Sequence, residues 1–241
     1  AVAPDRKVEA RAAAVAALCQ GGFTPRLGVR INALGTPWGA DDAAALAEAG
    51  ADLIVAPKVE TPEAVHALSA ALPRDARLWA MIETPRALLN LTEIAAAGGA
   101  LDGLMLGVND LAKALGTGTS ADREPFKPWL ALVVAVARAH GLLALDGVFN
   151  RIDDAEGLTS EATQGRLYGF DGKSLIHPSQ IAATNRAFSP SETEIAQARA
   201  VVAAFAADGA QGLGAIQVDG AMVERLHLDQ ARALLARAEG G

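Results

Sequence analysis

The sequence predicts an α/β fold built around a parallel sheet, and three observations support this fold class. Short apolar runs rich in β-branched residues alternate with alanine-rich segments of helical periodicity, which is typical of βα units. Several of the apolar runs end on a charged or amide side chain, as strands leading into a ligand site often do. The 241 residues suffice for one (β/α)₈ barrel, although two small domains would also fit this length.

Six strands can be read from the apolar runs. In chain order they are residues 27–34, 51–59, 77–84, 101–108, 142–149 and 169–178. Helices are predicted between and after them, near residues 41–49, 62–72, 86–97, 128–140, 159–168 and 179–187. Each of the first five helices links one strand to the next, as a parallel sheet requires.

Both ends of the chain depart from this alternation. A helix is predicted over residues 3–19, with Pro4 where proline is tolerated and no strand before it. A (β/α)₈ barrel would therefore need about two more strands and one more helix upstream of residue 1. Two long helices are predicted after residue 190, separated by a glycine-rich segment. We expect an N-terminally incomplete barrel at 1–188 and a C-terminal helical extension or lid at 189–241.

Composition narrows the function classes. The formal net charge of −7 opposes general binding to nucleic acid or to an anionic membrane. The single cysteine, Cys19, excludes an internal disulfide and a cysteine-based zinc cluster, which favours a cytoplasmic protein. The longest apolar run, residues 129–137, is shorter than the roughly 20 residues of a membrane-spanning helix. No nucleic acid and no membrane partner is expected.

Candidate functional residues follow from the ends of the predicted strands, where parallel α/β folds bind ligands. Glu83 and Asp110 would close neighbouring strands about 4.8 Å apart, within reach of one shared cation. Such a pair suits Mg²⁺, which takes one or two carboxylates and leaves positions for water and substrate. Arg30, at an earlier strand end, could stabilise an enolate oxygen or bind a carboxylate. The informative strand-end residues are Arg30, Asn32, Lys58, Glu60, Glu83, Asn109 and Asp110.

Structural roles compete with this interpretation. Asp110 could cap the helix that follows it, and Glu83 could pair with Arg86 at the surface. Arg30 could be an ion-pair partner at the barrel mouth.

Three other strand-end residues also admit a structural role. Lys58 and Glu60 could be structural charges, and His177 could be either a general base or a turn residue before Pro178.

The motifs together resemble, in order and spacing, the citrate lyase β-subunit-like branch of the HpcH/HpaI aldolase superfamily. The resemblance implies a TIM barrel that acts on acyl-CoA thioesters with Mg²⁺. It also implies that the first strand, first helix and second strand lie upstream of Ala1, and that the protein forms a homotrimer or homohexamer. The segments that carry it are GVRINALGTPW, APKVE, AMIETPRALLN, GVNDLAKALG, GFDGKSLIHPSQI and VDGAMVERL.

The resemblance also implies roles for individual residues. Arg30 matches the active-site arginine of the family, and Glu83 and Asp110 match its two metal-binding carboxylates; all three would contact the substrate. Glu224 stands where many relatives have an aspartate that enters the active site of a neighbouring subunit as part of a lid, and is the candidate acid/base group. Asn109 departs from relatives that have an acidic residue before the metal-binding aspartate.

We therefore predict a Mg²⁺-dependent carbon–carbon lyase. Its substrate would be a 3-hydroxyacyl-CoA that carries a carboxylate, of the citryl, malyl or citramalyl type, and its products an acyl-CoA and a 2-oxo acid. A malyl-CoA thioesterase or an aldolase of free 2-oxo acids would fit the same fold. A non-catalytic subunit that works through assembly, with Glu83 and Asp110 as helix caps, is the alternative from another class.

Overall fold

A six-stranded parallel sheet forms the centre of the first part of the chain. The computed structural model describes residues 2–73, 75–118, 120–207, 212–218 and 220–239. The strands follow one another in the sheet in chain order, and each neighbouring pair is parallel. They are β1 (Gly28–Arg30), β2 (Leu53–Ala56), β3 (Arg77–Ile82), β4 (Leu101–Leu106), β5 (Leu143–Asp146) and β6 (Gly172–Lys173).

Helices precede the sheet and connect its strands. In chain order they are α1 (Lys7–Gln20), α2 (Gly39–Glu48), α3 (Pro62–Ala71), α4 (Pro85–Leu89), α5 (Leu91–Ala96), α6 (Val108–Leu115), α7 (Lys127–Ala139), α8 (Ala155–Tyr168) and α9 (Ile181–Phe188). Single 3₁₀ turns lie at Pro4–Arg6, Glu124–Phe126 and Pro178–Gln180. None of the helices in the described part of the chain is long and apolar enough to cross a membrane.

The predicted α/β fold with six parallel strands is confirmed, although the strands are shorter than predicted. The largest difference is at residues 169–178, of which only Gly172–Lys173 pair as a strand. His177 there caps a 3₁₀ turn that begins at Pro178, and its side chain accepts a hydrogen bond from the Ser179 N–H. The turn alternative for His177 therefore describes the structure.

The core lies between the sheet and its helices. Ile54, Leu78 and Leu104 point from three successive strands into this layer and are completely buried. Burying each such side chain contributes about 1.5–3 kcal/mol. The apolar residues of each strand therefore fix the sheet, while the polar residue that follows the strand is left at its carboxyl end.

Residues 1–184 form one compact unit and residues 185–241 a second one. The second unit contains α10 (Glu192–Ala206), a hairpin of β7 (Ala215–Val218) and β8 (Ala221–Glu224), and α11 (Arg225–Glu239). Its own apolar core includes Val201, Phe205, Val223 and Leu228. A capping box between Ser191 and Glu194 begins α10.

The hairpin corrects the prediction of two helices with only a glycine-rich link between them. Residues 221–224, predicted as helix, pair antiparallel with residues 215–218. Gly220 has a φ of 84°, which a tight turn between two strands requires and which glycine adopts without strain. The Asp-Gly sequence before Ala221 is a hairpin signal that should have outweighed the helical pattern. Residues 208–211 and 219 of the predicted link lie outside the described residues.

Candidate active site

Glu83 follows the last residue of β3 and is buried, with only 5% of its surface exposed. The side chain of the next residue, Thr84, caps helix α4 by accepting a hydrogen bond from the Ala87 N–H. The carboxylate is therefore not needed for capping and points to the interior. Its Oε1 accepts a hydrogen bond of 2.9 Å from the main-chain N–H of Lys58. The alternative of a surface pair with Arg86 is wrong, because Glu83 is buried.

Burial raises the pKa of Glu83 above its ordinary value, because removal of water disfavours the charged carboxylate. The hydrogen bond from Lys58 acts in the opposite direction. The negative charge of Asp110 raises the pKa further, while the charges of Lys58 and Arg30 lower it. A carboxylate in this environment is one that a nearby cation would stabilise.

The close approach of β4 to Glu83 requires a glycine. The Gly107 N–H donates a hydrogen bond of 2.9 Å to the carbonyl of Ile82. A Cβ atom added to Gly107 would overlap the Glu83 side chain, with only 2.6 Å to Oε2. Gly107 therefore leaves the space in which the carboxylate lies.

Asp110 lies in the first turn of α6, which begins at Val108. The N-cap residue of this helix is Gly107, so the alternative of Asp110 as a cap is wrong. An acidic residue is favourable in the first turn because it faces the positive end of the helix dipole. Asp110 is half exposed, and its Oδ2 lies 3.7 Å from the Lys58 ammonium.

Lys58 connects the two acidic residues. Its main-chain N–H holds Glu83 and its side chain faces Asp110. Its φ of 52° lies in the left-handed region, which is unusual for a residue other than glycine. The sequence marked Lys58 as a strand-end residue with a structural charge, and its contact with both carboxylates could not be read from spacing.

Arg30 ends β1 and lines the same cavity of about 370 Å³ as Lys58, Glu83 and Asp110. Within the described part of the chain, Arg30 forms no ion pair with a carboxylate, in contrast to the ion-pair alternative. The three residues predicted as a site in this unit therefore face one common space.

A network of hydrogen bonds around Asp42 also lines this cavity. Asp42 is buried and accepts hydrogen bonds from the main chain and amide of Asn32 (3.0 and 2.5 Å) and from Arg11 (2.7 Å). Burial alone would raise the pKa of Asp42, but these hydrogen bonds outweigh it and hold the pKa below its usual range. Lys7 donates to Asn32 Oδ1 at 2.6 Å. The network fixes the loop that follows Arg30.

The charges that line the cavity suit an anionic ligand. Four cationic and three acidic side chains give a net charge of +1. They are Lys7, Arg11, Arg30, Lys58, Asp42, Glu83 and Asp110. A divalent cation bound to the acidic pair would raise this to +3, which favours carboxylate groups on a substrate.

The two carboxylates fit Mg²⁺ by their donor chemistry. The described residues contain no group of three or more histidine, cysteine or acidic side chains that could hold a metal. Magnesium needs only one or two protein carboxylates because water and substrate fill its other positions. Glu83, buried and hydrogen-bonded through Oε1, is the residue that a bound cation would compensate most.

A second group of charged residues, which the sequence reasoning missed, lies at the same carboxyl edge of the sheet, beside β5 and β6. Asp146 ends β5, is fully buried and accepts hydrogen bonds from Arg123 at 2.7 and 2.8 Å and from Lys173 at 3.3 Å. Lys173 also donates to Glu161 at 2.6 Å. The four charges sum to zero, which indicates a structural role. The rule of inspecting strand ends applies equally to Asp146 and would have found this group.

Glu224 belongs to the second unit, where it ends β8 and pairs with Ala215. Its main-chain N–H donates a hydrogen bond of 2.9 Å to Nδ1 of His227. Glu224 is partly exposed at the junction of the hairpin and α11. The predicted role of Glu224 in a neighbouring subunit stays a prediction.

Comparison with known proteins identifies the family. Residues 1–178 match the HpcH/HpaI aldolase/citrate lyase family. The chain belongs to this family. The resemblance seen in the sequence motifs is thereby confirmed, and other members of the HpcH/HpaI family supply named activities for comparison.

Three relatives represent these activities. A (3S)-malyl-CoA thioesterase of Cereibacter sphaeroides is 46% identical over 99% of this chain and 84% of its own length. An L-malyl-CoA/beta-methylmalyl-CoA lyase of the same species is 34% identical over 99% of this chain and 84% of its own length. The structure of CitE from Mycobacterium tuberculosis in complex with magnesium, acetoacetate and coenzyme A is 36% identical. It superposes with a TM-score of 0.82 over 99% of this chain and 86% of its own.

Proposed function

We propose that this protein is a Mg²⁺-dependent enzyme that acts on the coenzyme A thioester of a hydroxycarboxylic acid of the malyl type. The observation that carries the proposal is the buried carboxylate of Glu83, which shares one cavity with Asp110 and Arg30. Support for Mg²⁺ and coenzyme A comes from the CitE complex, and support for a malyl group comes from two relatives.

Two reactions of this substrate are candidates. Hydrolysis of the thioester to malate and coenzyme A is favoured by the thioesterase relative, at 46% identity. Cleavage of the carbon–carbon bond to acetyl-CoA and glyoxylate, the reaction predicted from the sequence motifs, is favoured by the lyase relative, at 34% identity. We propose hydrolysis as the first candidate and lyase activity as the second.

Glu83 and Asp110 would hold the metal in either reaction. Bound Mg²⁺ would supply a Lewis acid that orients the hydroxyl and carboxylate of the substrate. The cationic wall of the cavity, including Arg30 and Lys7, would attract the carboxylate.

Arg30 would have the same electrostatic role in both reactions. Breaking the carbon–carbon bond moves an electron pair onto the thioester oxygen as an enolate, after a base has taken the hydroxyl proton. Attack of water on the thioester carbonyl also puts negative charge on that oxygen, in a tetrahedral intermediate. A fixed guanidinium stabilises either charge. Glu224 is proposed as the acid/base group, contributed by a neighbouring subunit.

The proposal is tested by incubating the protein with (3S)-malyl-CoA, with Mg²⁺ or with EDTA, and separating the products by chromatography. Malate with free coenzyme A identifies hydrolysis, and acetyl-CoA with glyoxylate identifies the lyase. Glu83→Gln should lower turnover by at least about 100-fold through loss of the metal.

The matched control is Glu60→Gln, which changes the same group near the end of the neighbouring strand and should retain most of the activity. Turnover that survives both EDTA and Glu83→Gln would exclude the metal site. Absence of turnover on citryl-, malyl- and citramalyl-CoA alike would favour the assembly subunit.

A further inference from the structure

Lys58 occupies an unusual position, because one residue contacts both carboxylates of the candidate metal site. The contact with Glu83 uses the main-chain N–H, at 2.9 Å. The contact with Asp110 uses the side-chain ammonium, at 3.7 Å. The two contacts are independent, so a change of side chain can remove the second and keep the first.

The backbone of Lys58 shows that its conformation is held by its surroundings. A φ of 52° is unfavourable for lysine and would cost glycine nothing. Residues kept in such a conformation concentrate at functional sites, where the local geometry is part of the function. At Lys58 the conformation directs the N–H to the Glu83 carboxylate while the side chain extends over Asp110.

The Lys58 ammonium lies close to two carboxylates, those of Glu83 and Asp110, whose negative charges a cation stabilises. Glu83 and Asp110 are both acidic, and the charge of Asp110 disfavours the charged form of Glu83. Lys58 and Arg30 are the cationic groups whose charge acts on Glu83. Of these two, Lys58 forms an ion pair with Asp110. A divalent cation bound to Asp110 would repel an ammonium at this distance.

We propose that Lys58 is a positioning residue whose ammonium serves as the internal counter-ion of Asp110, and that a divalent cation must displace this ammonium in order to bind. This inference rests on the proposed function, because it assumes that Glu83 and Asp110 bind the metal. Lys58 thereby limits the affinity of the site for cations while its N–H keeps Glu83 in place.

The test is a titration with Mn²⁺, followed by electron paramagnetic resonance of the free ion, on the whole protein without substrate. Lys58→Met keeps the N–H and removes the ammonium. It should bind Mn²⁺ about two- to fivefold more tightly, the range expected for release of a half-exposed ion pair. Lys58→Arg should restore an affinity close to that of the wild type.

Two further variants separate the possible causes. Lys7→Met removes the same charge from the same cavity but contacts Asn32 rather than a carboxylate, and its Mn²⁺ affinity should stay close to that of the wild type. Lys58→Gly also removes the ammonium but relieves the left-handed backbone. It should resemble Lys58→Met in Mn²⁺ affinity and exceed it in thermal stability.

The outcomes distinguish this inference from the proposed function. One outcome would overturn the role of Lys58 alone. In it, the wild type binds Mn²⁺ and Glu83→Gln does not, but Lys58→Met binds Mn²⁺ no more tightly than the wild type. Equal gains in Lys7→Met and Lys58→Met would also overturn it, since general charge would then suffice. Wild-type protein that binds no Mn²⁺ would overturn both proposals.

Discussion

The burial of Glu83 decides between the two roles that the sequence allows for this residue. The sequence shows a carboxylate at the end of an apolar run, which predicts a candidate ligand but leaves a surface ion pair with Arg86 as an alternative. The structure removes the second possibility because the side chain is 5% exposed. The role of Lys58 was beyond sequence reasoning, since it depends on a left-handed backbone and on a contact between residues 52 positions apart.

The raised pKa of Glu83 predicts a particular dependence of stability on pH. In metal-free protein the folded state holds the Glu83 proton more tightly than the unfolded state does. This stabilises the fold below the ordinary glutamate pKa, and the effect is lost as the pH rises through the folded value. Glu83→Gln should therefore gain stability relative to the wild type as the pH increases, measured by urea unfolding without metal.

Magnesium should stabilise the wild type and leave Glu83→Gln unchanged. A ligand that binds only the folded state adds about 1.4 kcal/mol to the free energy of unfolding when its free concentration is ten times its dissociation constant. The wild type should gain this amount and Glu83→Gln should gain nothing. An equal response of the two proteins to Mg²⁺ would contradict the assignment of Glu83 as a ligand.

At the level of elements, the apolar runs were sufficient to find the six strands of the parallel sheet, because such strands are among the most apolar segments of an α/β protein. Their ends were less predictable. The polar residue that follows a run, such as Glu83 after Ile82, lies outside the hydrogen-bonded strand and lines the candidate active-site cavity. The hairpin at residues 215–224 was missed because short alternating strands with small residues also fit a helical pattern.

Helix α6 is held to the next loop by a pair of amides, and this pair predicts a measurable coupling. Asn109 and Asn150 exchange two hydrogen bonds, of 3.0 and 2.7 Å, between the residue before Asp110 and the segment after β5. In a double-mutant cycle of Asn109→Ala and Asn150→Ala, the free energies of unfolding should show a coupling of about 0.5–1 kcal/mol.

The same cycle, measured on Mn²⁺ affinity, reports whether the pair positions Asp110. Either single variant should weaken binding, and the double variant should weaken it no further. Strictly additive effects on both quantities would show that the amides act independently.

For the whole molecule, the proposed role of Glu224 requires an assembly. Glu224 lies in the second unit, and we propose that it acts on the active site of a neighbouring subunit in a homotrimer or homohexamer. Glu83→Gln and Glu224→Gln should each be inactive alone. When the two are unfolded and refolded together in equal amounts, about a quarter of the sites combine an intact Glu83 with an intact neighbouring Glu224.

Activity of the mixture should therefore return to about a quarter of the wild-type level. Wild-type protein taken through the same treatment is the control for recovery. A mixture that stays inactive, while the wild type recovers, would mean that Glu224 does not act between subunits.

The buried charges around Asp146 and the half-exposed pair of Lys58 and Asp110 should respond differently to ionic strength. Dissolved ions screen exposed charges over about 10 Å at 0.1 M and about 3 Å at 1 M, but they reach buried charges far less. Lys58 and Asp110 are 55% and 50% exposed, whereas Asp146 is fully buried. Concentrated salt should therefore weaken the attraction between Lys58 and Asp110 and leave the ion pairs of Asp146 with Arg123 and Lys173 largely unchanged.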